Sequence, residues 1–314
     1  MAVTRAKAPE LLSAAYFALT ALFVPLAGAS VREWWPTLTL HLVIVVVALW
    51  MLPRLPDTGR AGIVRAWLPV VALPLIYAEV ARLNDLFIAG YHDAVVQRWE
   101  QTLFGSQLAI TLRRMLPWKP LSEYLHFGYF GYYLLVPLLL GVLYAGGRYR
   151  QYRASLTAIL ATFYFCYLVF ITFPVAGPWY YFERPEASNV GWFFPFVVRR
   201  VLATGASQGA AFPSSHVAAA VVTWLLAWRL VRPLFWLYAL IVPALVVGTV
   251  YGGFHYAIDA GAGVVVGCCA LRVARGVTTR GGERLGPSEP LTPAELSHLR
   301  ATALPATRNA QRAN

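Results

Sequence analysis

Eight apolar stretches, each long enough to cross a lipid bilayer as a helix, constrain the fold more than any other feature of this sequence. A transmembrane helix needs roughly 20 consecutive, mainly apolar residues. The stretches lie at about 11–31, 37–53, 63–83, 122–145, 153–175, 212–231, 233–252 and 255–275. Only 13% of the residues are charged, which is too few for a soluble protein of 314 residues. The sequence therefore predicts an all-α fold, a polytopic membrane helical bundle of about eight transmembrane helices.

Basic residues cluster in short loops that eight crossings would place on one face of the membrane. The clusters are Arg5 and Lys7; Arg54, Arg60 and Arg65; Arg148, Arg150 and Arg153; Arg229 and Arg232; and Arg272 and Arg275. Cytoplasmic loops are enriched in Lys and Arg, so this face is predicted to be cytoplasmic. The net charge of +12 then reflects topology, and we expect no nucleic-acid partner. Arginine far outnumbers lysine, which occurs only at Lys7 and Lys119, and this is typical of a GC-rich genome. We therefore expect a bacterial protein located in the plasma membrane.

The chain divides into three predicted parts. Residues 1–83 hold N-terminal transmembrane helices, residues 84–275 a larger membrane domain, and residues 276–314 a cytoplasmic tail that is expected to be disordered. Residues 84–120 mix charged with apolar side chains, which predicts helices lying in the membrane interface. The first apolar stretch ends in Ala27-Gly28-Ala29, which also resembles a signal-peptide cleavage site. Because the stretch is long for a signal peptide, a transmembrane helix is the preferred interpretation.

The sixth apolar stretch begins with the motif Phe212-Pro213-Ser214-Ser215-His216. Pro213 is expected in the first helical turn, where its missing N–H costs no hydrogen bond. Ser214 and Ser215 would present hydroxyls and backbone amides at the positive end of the helix dipole, where an anionic phosphate oxygen can bind. In the alternative interpretation, the serines only cap the helix and His216 packs against a neighbouring carbonyl.

The eighth stretch begins with His255-Tyr256-Ala257-Ile258-Asp259. Residues four apart lie on one face of a helix, so the His255 and Asp259 side chains are within reach of each other. A carboxylate that bonds one ring nitrogen fixes the tautomer and leaves the other nitrogen available as a nucleophile or base. An unpaired carboxylate inside a membrane segment is costly, so Asp259 needs a partner. A purely structural pairing between helices remains the alternative.

Other polar residues in the apolar stretches are weaker candidates. Glu79, Glu123 and His126 could line a cavity, because intramembrane ionisable groups usually face the bundle interior. Glu79 and His126 could equally bond each other. His41 has no motif around it and is interpreted as a packing residue. An aromatic cluster in an outer loop is typical of the membrane interface, with a lid over a headgroup as the alternative; it comprises Trp179, Tyr180, Tyr181, Phe182, Trp192, Phe193 and Phe194.

The two histidine motifs together resemble the second and third signatures of the type 2 phosphatidic acid phosphatase superfamily. More narrowly, the chain is similar to the branch of fungal inositol phosphorylceramide synthase and its bacterial relatives, which have an inositolphosphotransferase-like domain. The stretches at 99–105 and 124–133 also resemble that branch, and the similarity runs from about residue 85 to 272. The resemblance implies a six-helix phosphatase-like core. It also implies that His255 attacks phosphorus, that Asp259 supports it, and that His216 protonates the leaving oxygen.

The sequence departs from the phosphatase branch at three positions, and two cations of the signatures are thereby missing. Gly248 and Thr249 stand where the third signature has Ser-Arg, and Gly177 stands where the first signature has lysine. Fewer cations favour a phosphorus that bears fewer negative charges, such as a phosphodiester headgroup.

One cation of the first signature is present. Arg184-Pro185 fits it, so we expect Arg184 to contact phosphate, with an interfacial role as the alternative. Arg199 and Arg200, in the same outer loop, could substitute for the missing cations.

These observations predict a metal-independent membrane enzyme that transfers a phosphoryl group from a lipid at the outer face. No cofactor is expected, since Cys166, Cys268 and Cys269 lack the spacing of metal ligands. The partners expected are a membrane lipid substrate and the bilayer; the oligomeric state is open. Two competitors remain: a plain hydrolase of lipid phosphate or prenyl pyrophosphate, and a non-catalytic carrier or assembly protein. A carrier would show an internal repeat, and the sequence contains none.

Overall fold

The computed structural model describes residues 7–27, 34–57, 59–84, 87, 89–183, 191–205 and 207–280. Helices account for 82% of the structure, and the described residues form no strand. In chain order the helices are α1 Ala8–Ala27, α2 Trp34–Val46, α3 Gly59–Leu83, α4 Asp93–Phe104, α5 Leu108–Met115, α6 Lys119–Ala145, α7 Tyr149–Thr172, α8 Pro178–Tyr181, α9 Phe194–Gly205, α10 Ser215–Leu230, α11 Arg232–Tyr251 and α12 Ala257–Arg280. Helix α2 continues through a π-helical turn, Val47–Met51, and a 3-10 turn, Leu52–Arg54.

Six helices in the described part of the chain are long and apolar enough to cross a membrane: α1, α2 with its extension, α3, α6, α7 and α11. The predicted helical membrane bundle is therefore confirmed. The other two predicted transmembrane stretches correspond to α10, which has 16 residues, and to α12. Helix α12 extends to Arg280, four residues beyond the predicted start of the tail at residue 276; residues 281–314 lie outside the described ranges.

Helix α10 lies at the centre of the bundle, with α6, α7, α11 and α12 packed around it. Its small residues Val217, Ala218, Ala219 and Ala220 are all buried. Helix α12 approaches α10 closely because it presents glycine there. A Cβ atom at Gly263 would lie 2.6 Å from the backbone oxygen of Ser214. Small residues let transmembrane helices pack backbone to backbone, which here brings the ends of α10 and α12 together.

The loops that carry the basic residues meet at one end of the bundle. Lys7 contacts Asp57, and Arg65 forms a buried ion pair with Glu10, with 2.6 Å between Nε and Oε1. Arg148 donates a 2.8 Å hydrogen bond to the carbonyl of Leu230, at the C-terminal end of α10. The N-terminal end of α10 consequently lies at the opposite end of the bundle from these loops.

Glu79 pairs with His41 of the neighbouring helix and not with His126. Glu79 Oε1 lies 2.9 Å from Nε2 of His41, and Nδ1 of His41 lies 2.9 Å from the hydroxyl of Thr20. His126 instead places Nδ1 2.7 Å from the carbonyl of Ser122 in its own helix. The pairing of Glu79 with His126 is therefore wrong. His41 is fully buried, but it bonds across three helices rather than serving only as packing.

Candidate active site

The start of α10 is joined to the start of α12 by its backbone. Ser214 is the N-cap residue, and its hydroxyl accepts a 3.3 Å hydrogen bond from the amide of Val217. The helix therefore begins at Ser215, so Pro213 precedes it instead of occupying the first turn as expected. The amide of Ser214 donates a 3.0 Å hydrogen bond to the carbonyl of Asp259. Ser214 and Ser215 are both buried, and the hydroxyl and the amide of Ser214 both form hydrogen bonds within the protein.

His255 lies in the short turn between α11 and α12. The carbonyl of Thr249 accepts hydrogen bonds from the amides of Phe254 at 2.9 Å and His255 at 3.0 Å, which fixes the turn against the end of α11. Asp259 accepts a 2.8 Å hydrogen bond from the amide of Tyr256 at Oδ2. The same oxygen lies 3.5 Å from Nδ1 of His255, beyond the usual hydrogen-bond range of about 2.7–3.2 Å. Contacts of this kind are often long without substrate and shorten when it binds.

The two histidine rings face each other across a pocket. Their centroids lie 6.2 Å apart. His216 also packs against three tyrosine rings, with centroid distances of 4.6 Å to Tyr132, 5.6 Å to Tyr129 and 6.0 Å to Tyr77. The structure thus brings His216 and His255 together, with the fully buried Asp259 behind His255.

Two adjoining cavities surround the histidines. A small one of about 40 Å³, which we call the histidine pocket, is lined by both histidines and by Trp179 and Phe254. A second cavity of about 440 Å³, which we call the apolar cavity, lies among α3, α6, α7, α9 and α10. Tyr77, Tyr129, Leu202 and His216 line both. The apolar cavity therefore opens onto His216 and could hold a hydrocarbon chain.

Two buried carboxylates on α4 hold the backbone around the histidine pocket, and the sequence analysis did not single them out. Asp93 accepts 2.8 Å hydrogen bonds from the amides of Ala176 and Gly177 and a 3.0 Å bond from the hydroxyl of Tyr256. Glu100 accepts hydrogen bonds from the amides of Leu108 at 2.8 Å and Ala257 at 2.7 Å.

The seven-residue spacing of Asp93 and Glu100 is the feature of the sequence that could have identified them. Seven residues are close to two helical turns, so Asp93 and Glu100 lie on one face of α4. The exposed side chains of Trp99, Leu103 and Phe104 lie elsewhere on the helix. Helix α4 therefore joins an apolar outer surface to the turns that carry the site.

The missing cations have a geometric explanation at Gly177. Its φ of +96° lies in the region that favours glycine, and a Cβ atom there would lie 3.1 Å from the carbonyl oxygen of Phe254. A lysine would be strained at this position. Thr249 is fully buried, so that position also turns inward. Arg184 and Pro185 lie outside the described residues.

A different arginine reaches the turn beside His255. Arg113 of α5 donates a 3.2 Å hydrogen bond from Nε to the carbonyl of Tyr251. Its Nη2 lies 2.5 Å from where a Cβ atom of residue 253 would be, so any side chain at position 253 would displace the guanidinium. Burial, and then the neighbouring charge of Arg199, lower the pKa of Arg113. These two arginines therefore concentrate positive charge near the site.

Glu123 caps α9 and does not line the histidine pocket. It contacts the amide of Trp192 and accepts hydrogen bonds from those of Phe193 at 2.8 Å and Phe194 at 3.0 Å. Trp192 and Phe193 are exposed, as expected for aromatic residues at an interface. Within the described ranges, no group of three or more His, Cys, Asp and Glu side chains could hold a metal ion.

Comparison with known proteins gives one match. The family model described as PAP2 superfamily matches residues 94–273, which is more than half of the chain and includes both histidine motifs. No curated protein and no solved structure matches the chain. The superfamily generally comprises phosphatases. The extent of this match, with a helical membrane bundle that brings both motifs to one pocket, shows that the chain belongs to the PAP2 superfamily.

Proposed function

We propose that this protein is an integral membrane phosphatase or phosphotransferase that acts on a lipid phosphate ester or phosphodiester through a phosphohistidine intermediate. The observation that carries the proposal is the histidine pocket, where two imidazole rings lie 6.2 Å apart and a buried carboxylate lies behind one of them. Nucleophile, supporting carboxylate and proton donor are the groups that such a reaction needs.

In the first step, a ring nitrogen of His255 attacks phosphorus. Asp259 lies on the Nδ1 side, so Nε2 is the attacking atom, and the carboxylate stabilises the imidazolium that forms. The bond between phosphorus and the leaving oxygen breaks as the P–N bond forms. His216 donates a proton to that oxygen, and the anionic phosphate beside the ring stabilises its protonated form beforehand.

In the second step, water or an alcohol displaces His255 from phosphorus. His216, now neutral, accepts the proton of the incoming hydroxyl. Water gives a phosphatase, whereas an alcohol gives a headgroup transferase. Ser215 and Arg184 are proposed to contact the phosphate. Ser214, whose hydroxyl and amide are both engaged, supports the site by holding α10 against α12.

The apolar cavity supports a lipid as the substrate. Its volume of about 440 Å³ and mostly hydrocarbon lining suit an acyl or prenyl chain, and it ends at His216.

The histidine pocket lies at the end of the bundle opposite the basic loops. By the positive-inside rule, the site would face outward. We propose that it does so in a bacterial plasma membrane, and that the protein belongs to the branch resembling inositol phosphorylceramide synthase.

Turnover of labelled lipids by the purified protein tests the proposal. We expect release of phosphate, or exchange of the headgroup when an alcohol acceptor is added, from a panel of phospholipids, lipid phosphates and prenyl pyrophosphates. Acid-labile radioactive phosphate should accumulate on the wild-type protein and not on His255→Ala. Undiminished turnover by a folded His255→Ala variant would overturn the nucleophile assignment. A folded wild-type protein that is inactive on the whole panel would favour the non-catalytic carrier or assembly role.

The leaving group separates the roles of the two histidines. A nitrophenyl phosphodiester releases a weakly basic oxygen that needs little protonation. His216→Ala should therefore recover most of its activity on this substrate, while His255→Ala should remain inactive. Equal losses for both variants on both substrates would contradict the proton-donor role of His216.

A further inference from the structure

We propose that a cavity between α5, α8 and the turn from α11 to α12 binds the polar headgroup esterified to the substrate phosphate, with Arg113 contacting a phosphate oxygen. This inference rests on the proposed function, because it assigns a place to another part of the same substrate. The space, which we call the headgroup cavity, has a volume of about 630 Å³. Its lining includes Ile110, Arg113, Arg114, Trp179, Tyr181 and Glu183.

The headgroup cavity and the apolar cavity lie on different sides of the histidine pocket. Trp179 lines both the headgroup cavity and the histidine pocket, and its ring packs 5.6 Å from that of Phe254. Gly253, two residues before His255, also lines the headgroup cavity. The apolar cavity joins the histidine pocket through Tyr77 and Tyr129. A phosphorus atom held between the histidines therefore has a hydrocarbon space on one side and a polar space on the other.

The chemistry of the lining distinguishes the two spaces. The headgroup cavity contains two arginines, a carboxylate and several aromatic side chains, whereas tyrosines and aliphatic residues dominate the apolar cavity. Pockets with a few polar groups among aromatic rings fix the orientation of polar ligands. A phosphate monoester has no group to place there. A phosphodiester places its second alcohol in the headgroup cavity, so the cavity selects diesters with a hydroxyl-bearing headgroup.

Arg113 is placed to bind the phosphate at the border between these spaces. Its Nε atom is bonded to Tyr251, and this is its one hydrogen bond with the described residues. The two terminal nitrogens can therefore donate to a ligand. A guanidinium presents paired donors that match phosphate oxygens. Its position against Gly253 puts this donor pair next to the turn that carries His255.

A cavity-filling variant tests the headgroup cavity. Two substrates with the same lipid chains are compared, a phosphate monoester and a phosphodiester with a glycerol headgroup, on purified full-length protein in micelles. In Ile110→Trp, kcat/KM for the diester should fall about tenfold or more, while that for the monoester should change less than about twofold. Ile110→Phe, which adds less volume, should give a smaller loss. Met115→Trp is the matched control, because Met115 lies exposed on the same helix outside the cavity lining.

Arg113 is tested with the same substrates. Arg113→Gln should raise KM about tenfold for both substrates while leaving kcat close to that of the wild type, and the control Arg98→Gln, at an exposed position of α4, should change neither KM nor kcat. An unchanged KM in Arg113→Gln would overturn the phosphate contact.

Equal effects of Ile110→Trp on the turnover of monoester and diester would overturn the assignment of the headgroup cavity. Continued turnover that depends on His255 would, in that case, leave the proposed function standing. Absence of any turnover by the wild-type protein would overturn the proposed function, and this inference with it.

Discussion

The amide of Ser214 donates a 3.0 Å hydrogen bond to the carbonyl of Asp259, 45 residues later in the chain, and this contact joins the beginnings of α10 and α12. Ser214 precedes His216 by two residues, and Asp259 follows His255 by four. The bond involves only backbone atoms, so any residue except proline at position 214 could make it if the helices approach closely enough. The distance between the two histidines therefore depends on helix packing as well as on the histidine motifs themselves.

The first prediction concerns this packing. Gly263→Ala and Gly267→Ala place a Cβ atom 2.6 Å from the backbone oxygens of Ser214 and Ala218, respectively, so α12 must move away from α10. Each variant should lower the melting temperature and reduce turnover. Gly261→Ala is the control, because nothing lies within 4 Å of its added Cβ atom. Thermal unfolding in detergent measures the effect, and equal melting temperatures for all three variants would contradict the close approach.

The second prediction concerns Asp259. Replacing it with asparagine preserves its shape but removes the charge that stabilises the imidazolium of His255. We expect kcat to fall roughly 10²- to 10⁴-fold with little change in KM, by analogy with other carboxylate–histidine pairs. Asp57→Asn, at the basic end of the bundle, serves as the control and should leave kcat unchanged. Steady-state kinetics on any accepted lipid suffice, and comparable activities for the two variants would exclude a role for the Asp259 charge.

The third prediction concerns the carboxylates of α4. Both carboxylate oxygens of Asp93 accept hydrogen bonds from backbone N–H groups, of Ala176 and Gly177. In Asp93→Asn, the side-chain NH2 group would face one of these N–H donors, and that buried donor would lose its hydrogen bond at a cost of about 1–3 kcal/mol. Asp93→Asn should therefore lower the free energy of unfolding by about that amount and reduce activity. Arg98→Ala, on the exposed part of the same helix, should do neither. Unfolding followed by denaturant titration provides the measurement, and wild-type stability of Asp93→Asn would show that these bonds matter little.

The fourth prediction separates stability from catalysis in the N-terminal helices. Glu79→Leu removes the partner of His41 Nε2, so a buried polar atom loses its hydrogen bond. The melting temperature should therefore fall. The value of kcat should stay near that of the wild type, because the Glu79–His41 pair lies outside the histidine pocket. The double variant Glu79→Leu with His41→Phe should recover part of the lost stability, because the unpaired ring nitrogen is gone and the Thr20 hydroxyl keeps its hydrogen bonds to the carbonyls of Tyr16 and Phe17. A large loss of kcat in folded Glu79→Leu protein would indicate a direct link to the site.

The membrane bundle was predictable because its signal is local. Apolar length alone identified all six helices of the described chain that are long enough to cross a membrane. The four-residue spacing of His255 and Asp259 predicted one face of a helix, whereas His255 lies in the turn before α12, which begins at Ala257. The partners of Glu79 and Asp93 were not predictable, since each bonds residues far away in the chain. A sequence shows that a buried acid needs a partner; it does not show which of several distant donors the packing supplies.

Arg113 illustrates the same difference at the site itself. In the sequence it is one of several charges in an amphipathic stretch, and its local pattern fits an interfacial helix. Its proximity to Gly253 arises only when α5 packs against α11. The glycine was visible, but the side chain that takes the place of its missing Cβ atom was not.

Helix α4 links the outer surface of the protein to the catalytic turns, because its exposed Trp99, Leu103 and Phe104 share the helix with Asp93 and Glu100. If those three side chains rest in the headgroup layer, a change in the lateral pressure or thickness of the bilayer would displace α4. Such a displacement would pull on the amides at the start of α12 and alter the gap between the two imidazoles. The surrounding lipids would then act as effectors of turnover as well as a source of substrate.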